Sequence, residues 1–298
     1  MELVAQRIFG TRHRLIAFGC VHFGDEGFDE ELFDRCLEEI DSTPNAIVIG
    51  MGDYTDFSRT SYRTPMKAVW GEDDSMHLEI DTMFKKTVID PLVWKIRNRC
   101  KSFSQKCIGL IQGNHDWVAR TGITGTQTIC EMLGVRYLGL SAYIRLTCYR
   151  SRGNKKMGSG HNLNIVANHS TSNSGSLPAS LAAANRRLIG WRDVDVFLSG
   201  NDHQLGVEVR EELTVPAKGH LRLVQKEVVI AKTGSFQRGY IEGATSSNYV
   251  EKKLLRPSHL GWFGCDLHIY RSEYTKADKE KYGVDISPEV WRFTNFSA

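Results

Sequence analysis

The sequence predicts an α/β protein built on a mostly parallel sheet. Three observations carry that expectation. A strand–helix–strand unit lies near the start, with Leu15–Phe18 and Ala46–Ile49 flanking a helical period. Short apolar runs recur at 107–112 and 194–198, with helical patterns between them. These runs give way to glycine and to polar residues able to bind ligands, as strands do at the carboxyl edge of open α/β sheets.

Each element has its own reason. Leu15–Phe18 reads as a buried strand because four apolar residues run without alternation and stop at Gly19. Phe28, Leu32, Phe33, Cys36, Leu37 and Ile40 then recur at helical spacing, with Asp29 as N-cap and Pro44 at the exit. Ala46–Ile49 is the second strand. The stretch Asp56–Ser75 is irregular and carries Arg59, Arg63 and Pro65, which suits a substrate-facing loop. A helical pattern follows through Arg99, and Pro91 is expected to kink or divide it. Cys107–Gln112 is the third strand and Gly125–Leu133 a short helix. From Val135 the pattern changes to paired strands, Tyr143–Tyr149 and Asn162–Ala167. The tip between them holds Arg152, Lys155, Lys156 and several glycines, and a solvated turn is the simpler reading than nucleic-acid contact. Pro178–Ile189 reads as a helix, and Val194–Leu198, Val207–Val209, Leu221–Ala231 and Trp262–Tyr270 as strands. With no repeat, linker or low-complexity segment, the expectation is one domain, residues 1–298.

At 298 residues the chain can bury a sizeable core, and 41% hydrophobic with 24% charged residues is an ordinary globular balance. A net charge of +3 permits an anionic substrate but lacks the bias of a dedicated nucleic-acid binder. Seven cysteines form no regular disulfide framework. Neither a secretory leader pattern nor an apolar run of membrane length is present. These features point to a cytoplasmic protein with free thiols and no membrane partner.

Five expected strands end in groups able to bind metal: Cys20 and His22, Asp53, Asn114 and His115, His169, and His203. Singly, such a residue is more often a cap or a satisfied turn residue. Five in order, each after an apolar run, make a pattern. That ordered set resembles the calcineurin-like metallophosphoesterase superfamily, whose motifs run Asp-x-His, Gly-Asp-x-x-Asp, Gly-Asn-His-Asp, a lone His and Gly-His-x-His. Here they correspond to Cys20-Val21-His22, Gly52-Asp53-Tyr54-Thr55-Asp56, Gly113-Asn114-His115-Asp116, Asn168-His169 and Gly200-Asn201-Asp202-His203. A weaker match lies at Thr233-Gly234-Ser235-Phe236 with Arg238.

The resemblance implies a four-layer α/β/β/α sandwich with one or two divalent metal ions between the sheets. One metal would take Cys20, His22, Asp53 and His203, and the other Asp53, Asn114, His169 and the position of Asn201. It further implies a phosphodiesterase using metal-activated hydroxide, with His115 as general acid to the leaving group. Asp116 either orients His115 or caps the next turn. Arg59, Arg63 and Arg238 are candidates for binding substrate phosphates, or plain loop charges. Two departures stand out. Cys20 replaces the usual Asp, a change also found in the lariat-debranching branch, and a softer thiolate shifts preference to zinc or ferrous iron and away from magnesium; the metals expected are manganese, zinc or iron. Asn201 replaces a His and weakens the second metal position. The substrate expected is a phosphodiester of DNA, RNA or a nucleotide, which favours a nuclease. The competing expectation is a catalytically impaired scaffold that keeps the fold.

Overall fold

The computed structural model describes residues 1–56, 74–149, 151–152, 155–156, 160–169, 176–191, 193–215, 224–243, 249–252, 254, 256–271 and 289–297. Arg59 and Arg63, and most of the Asp56–Ser75 stretch, lie outside the described residues. In chain order the elements are β1 (Glu2–Phe9), β2 (Arg12–Phe18), α1 (Glu30–Ser42), β3 (Ala46–Gly50), α2 (Asp74–Phe84), a π-helical turn (Lys85–Ile89), α3 (Asp90–Arg99), α4 (Phe103–Lys106) and β4 (Cys107–Leu110). There follow α5 (Gly125–Leu133), β5 (Ser141–Tyr149), β6 (Ser151–Arg152), β7 (Lys155–Lys156), β8 (His161–Asn168), α6 (Leu177–Leu188), β9 (Val196–Ser199), β10 (Leu205–Thr214), β11 (Val224–Thr233), α7 (Tyr249–Lys252), β12 (Phe263–Arg271) and β13 (Glu289–Ser297).

The strands form two large sheets, as the expected four-layer α/β/β/α sandwich requires, and each mixes parallel with antiparallel pairing. One runs β1-β5-β8-β9-β11-β10 and the other β13-β12-β2-β3-β4. Parallel pairing joins β2–β3–β4 along one side of the five-stranded sheet and β8–β9–β11 in the middle of the six-stranded one. Antiparallel strands β10, β12 and β13 are added at the flanks. The central strands are buried on both faces, so their sequences are continuous apolar runs; β3 is buried at every position.

Alternation along these strands sorts side chains into layers. Leu15, Ala17, Ile47 and Ile49 of one sheet meet Ile144, Leu146, Leu163, Ile165, Val229 and Ala231 of the other. On the outer face of the five-stranded sheet, Ile16, Phe18 and Val48 pack on Phe33, Leu37 and Ile40 of α1 and Leu92 and Ile96 of α3. On the outer face of the six-stranded sheet, Val166, Phe197, Val228 and Ile230 pack on Ala184 and Leu188 of α6. The result is a mixed α/β sandwich, helices outside and two sheets within.

Helix ends follow local chemistry. Asp29 caps α1, its Oδ1 accepting from Leu32 N at 3.1 Å. Thr124 and Gln127 form a capping box on α5, and Gly134 closes that helix in the left-handed region. Pro91 divides the long helical run as expected. Lacking an N–H, it cannot continue the α-helical ladder, and the backbone widens into the π turn just before α3. Among the described residues no helix is long and apolar enough to cross a membrane. All seven cysteines are free.

Candidate metal centre

The site lies at the carboxyl ends of β2, β3, β4, β8 and β9. Eight non-glycine residues among those described have positive φ, and five are Cys20 (49°), His22 (51°), Asp53 (53°), Asn201 (75°) and His203 (55°). This conformation costs an L-residue roughly 1–2 kcal/mol, so it persists only where the surroundings enforce it. Here the loops after β2 and β3 are laced together. Cys20 N donates to Gly52 O at 2.8 Å, His22 N to Asp53 O at 3.0 Å and Phe23 N to Tyr54 O at 3.0 Å. The Gly234-Ser235-Phe236 turn supports the same loop: Phe236 N and Ser235 Oγ both donate to Cys20 O, at 3.0 and 3.1 Å.

Two glycines allow the close approach. A Cβ on Gly113 would fall on Asp53 Oδ1, and one on Gly52, itself at φ 96°, would stand 2.5 Å from His169 Nδ1. The glycines of these turns are therefore as specific to the site as the donors beside them.

The donors converge. Cys20, His22 and His203 place ligand atoms within 4.8 Å of one another, and so do Cys20, Asp53 and His169. The Nε2 atoms of His22 and His203 are 3.2 Å apart. His169 Nε2 lies 3.1 Å from Asp53 Oδ2 and 2.9 Å from Asn114 Oδ1. His169 Nδ1 lies 2.6 Å from Met51 O, to which it can only donate, so Nε2 is left as the lone-pair donor facing the cluster. Asp53 Oδ1 accepts from His115 N at 2.8 Å, which orients the carboxylate.

Burial and neighbours set the charges. Burial alone would raise Asp53, yet His169 and then His22 and His115 hold it well below the usual carboxylate range. Burial, followed by His22, lowers His203 to about 3, so it is a neutral donor at physiological pH. Burial and then Asp53 push the Cys20 thiol well up, opposed by a hydrogen bond from the Asn201 backbone amide. An ionised carboxylate, imidazole nitrogens and a thiol that a cation would deprotonate fit a zinc-like or iron-like ion.

The carboxylate facing the His115 imidazole is Asp56, not Asp116. His115 Nδ1 lies 3.1 Å from Asp56 Oδ2, and His22 Nδ1 lies 3.4 Å from the same oxygen. Both oxygens of Asp116 instead accept from Thr126 N at 3.1 Å, in the first turn of α5. The motif pattern carries Asp56 without a role of its own, and its place three residues after Asp53 in the same turn is the signal for one. His115 is 26% exposed while His22 is 1% exposed, so His115 forms the open edge of the cluster.

Other expected residues are placed differently. Asp202 points away from the cluster to Lys232 Nζ at 2.7 Å, between two neighbours in the left-handed region. The Arg238 fork is held by Asp29 Oδ2, at 3.0 Å from Nε and 2.8 Å from Nη2, which ties it to the α1 cap.

Fold and site together define a class: a two-sheet α/β sandwich with metal-ligating side chains gathered at the ends of its central strands. No protein-family profile matches the chain, and no curated protein matches it in sequence. Among solved structures it is similar to a conserved uncharacterized protein and predicted phosphoesterase of Streptococcus pneumoniae TIGR4, at 13% identity and TM-score 0.32 over 95% of this chain and 99% of that one. It is similar to Vps29 of Chaetomium thermophilum, at 12% and 0.35 over 94% and 96%. It is also similar to Vps29 of Entamoeba histolytica, solved with zinc, at 14% and 0.34 over 87% and 88%. The fold assignment rests on strand order and layer packing, and no site residue is carried over from these chains.

Proposed function

We propose that the chain is a metal-dependent phosphoesterase, acting on a phosphodiester of a nucleic acid or nucleotide. The observation that carries this reading is the convergence of Cys20, His22, Asp53, His169 and His203, with His115 on the open side. Cys20, His22 and His203 would hold one cation with Asp53, and Asp53, His169 and Asn114 a second. When bound, such ions polarise a phosphoryl oxygen and lower the pKa of a coordinated water.

The remaining steps belong to the protein. Asp53, ionised and oriented by His115 N, supplies negative charge between the two positions. Asp56 engages His115 Nδ1, which leaves Nε2 to carry the proton for a departing alkoxide. An alkoxide is a poor leaving group, and a proton donor at the site's edge favours a diester over an activated anhydride. The softness of Cys20 favours zinc or iron over magnesium.

Hydrolysis of bis-p-nitrophenyl phosphate, then of single-stranded and duplex DNA, RNA, branched RNA and nucleotide diesters, tests the reading with manganese, zinc or ferrous iron added. Metal-stimulated turnover on at least one substrate is expected, and none on any would end the enzyme reading. Asn201 at a position where the family pattern has His favours one alternative, a phosphoesterase-like scaffold with weakened metal sites. Metal analysis of protein purified without oxygen separates the two: a scaffold would hold clearly less than one ion per chain.

A further inference from the structure

The turn after β9 sends consecutive side chains to opposite sides. His203 faces His22 in the cluster, while Asp202 pairs with Lys232 of β11 at 2.7 Å. This ion pair is deeply buried, with the lysine side chain 1% and the aspartate 2% exposed. Lys232 Nζ also donates to Ser199 Oγ of β9 at 3.0 Å, and Ser180 of α6 donates to Asp202 Oδ2. One polar network therefore joins β9, its turn, β11 and α6 behind the site.

A buried ion pair is a poor source of stability, since apolar side chains often replace it without loss. Its place in the chain gives it another use. It grips the middle of a turn whose two neighbours, Asn201 and His203, both sit in the left-handed region. The Asn201 amide donates to the Cys20 sulfur, and the His203 ring stands against His22, so both outputs of the turn reach one metal position.

We propose that Lys232 and Asp202 are positioning residues for the cation position formed by Cys20, His22 and His203. This rests on the metal-binding reading above. The pair fixes the turn so that the Asn201 amide meets the sulfur and the His203 ring meets His22. The Asp53, Asn114 and His169 donors of the other position follow β3, β4 and β8.

Anaerobic titration of the full, metal-free chain with Co²⁺ tests the proposal, because a cobalt–thiolate bond gives a near-ultraviolet absorption that nitrogen and oxygen ligands lack. Lys232→Met alone leaves Asp202 buried and unpaired, so the informative variant is Lys232→Met/Asp202→Leu, which removes both charges. It is expected to melt cooperatively without metal, bind the first Co²⁺ at least tenfold more weakly and lose the thiolate absorption per bound cobalt. Lys232→Gln/Asp202→Asn is read in the same way if the apolar pair does not fold. Leu146→Ala, in the core between the sheets, is a destabilised control that should keep the absorption. Wild-type affinity and absorption in the paired variants would overturn the proposal, and so would loss of the absorption in the control. A wild-type chain that binds no Co²⁺ would remove the metal reading itself, an outcome distinct from tight wild-type binding unchanged by the paired variants.

Discussion

The Nε2 atoms of His22 and His203 face each other across 3.2 Å. Two Nε2 lone pairs cannot both be aimed across that gap without a proton or cation between them. Burial keeps His203 uncharged near neutral pH, so its ring does not repel a cation there. Zinc should therefore stabilise the fold. At a hundredfold excess over its dissociation constant a ligand adds about 2.7 kcal/mol, which for a chain of this size raises the melting midpoint by roughly 4–8 °C. His203→Ala should abolish most of that rise in a thermal scan with and without chelator, and an equal rise in the variant would show that zinc binds elsewhere.

Metal uptake should release a proton. The Cys20 thiol is raised by burial and by Asp53, so it is protonated at neutral pH and must ionise to bind. His203, lowered to about 3, has no proton to lose. Affinity should rise by about one decade per pH unit between pH 6.5 and 8.5, for one proton released. Competition titrations against a chelator would measure the slope. Cys20→Asp, ionised throughout that range, should flatten it and widen metal acceptance towards manganese and magnesium.

Acid should weaken the metal-free fold well before ordinary carboxylates titrate. His203 has a folded value near 3 against 6.5 unfolded, so the unfolded chain binds the extra proton. The stability this group contributes is complete above pH 6.5 and is lost as pH falls towards 3. Urea unfolding of metal-free protein at pH 7 and pH 5 should show the decline, and His203→Gln should remove part of the difference. Parallel curves for the two proteins would place the titrating group elsewhere.

The two acidic neighbours of His115 can be separated by function. His115→Ala should lose roughly 10²–10⁴-fold in turnover while retaining metal. Asp56→Asn should lose roughly 10–100-fold, as for other residues that orient a histidine. Asp116→Ala should cost about 1 kcal/mol as a lost helix cap and leave turnover within a few-fold. Steady-state rates and chemical unfolding on the three variants decide between them; a larger rate loss for Asp116→Ala than for Asp56→Asn would reverse the assignment.

Gly113→Ala should damage the centre without touching a donor. Its methyl group would fall on Asp53 Oδ1, so either the carboxylate or the β4 turn must shift. Overpacking of this kind costs typically about 1–3 kcal/mol. Metal content should fall further than the melting temperature suggests, since Asp53 serves both positions. Full metal content in Gly113→Ala would mean that the turn relaxes freely.

Much of this was legible in the chain because central parallel strands leave a simple signature. Ala46–Gly50 and Val196–Ser199 are buried on both faces, so their residues run apolar and stop where the ligands begin. The periphery is harder to read. In β1 only Val4 and Ile8 are buried, with Gln6 exposed between them, and a four-residue spacing fits a helix face as well as a strand face. β13 does alternate, with Trp291 and Phe293 buried, but it stands far from any motif that would mark it. The charged stretch Glu208–Glu212 hides most of β10, an edge strand whose polar residues suit an unshielded flank. At the site, the motif order brought the donors together. Which of Asp56 and Asp116 meets the His115 ring depended on the direction of two turns, and spacing does not encode that.

Five of the donor-bearing residues occupy backbone conformations that glycine would adopt more comfortably. Selection for thermal robustness alone would therefore pull against the chemistry, because glycine at Cys20 or His203 relaxes the chain as it erases a ligand. Variants enriched by heat challenge without metal should drift towards a sturdier and emptier sandwich. Keeping the centre intact requires selection on metal retention, since fold stability and site integrity are in opposition at the same few positions.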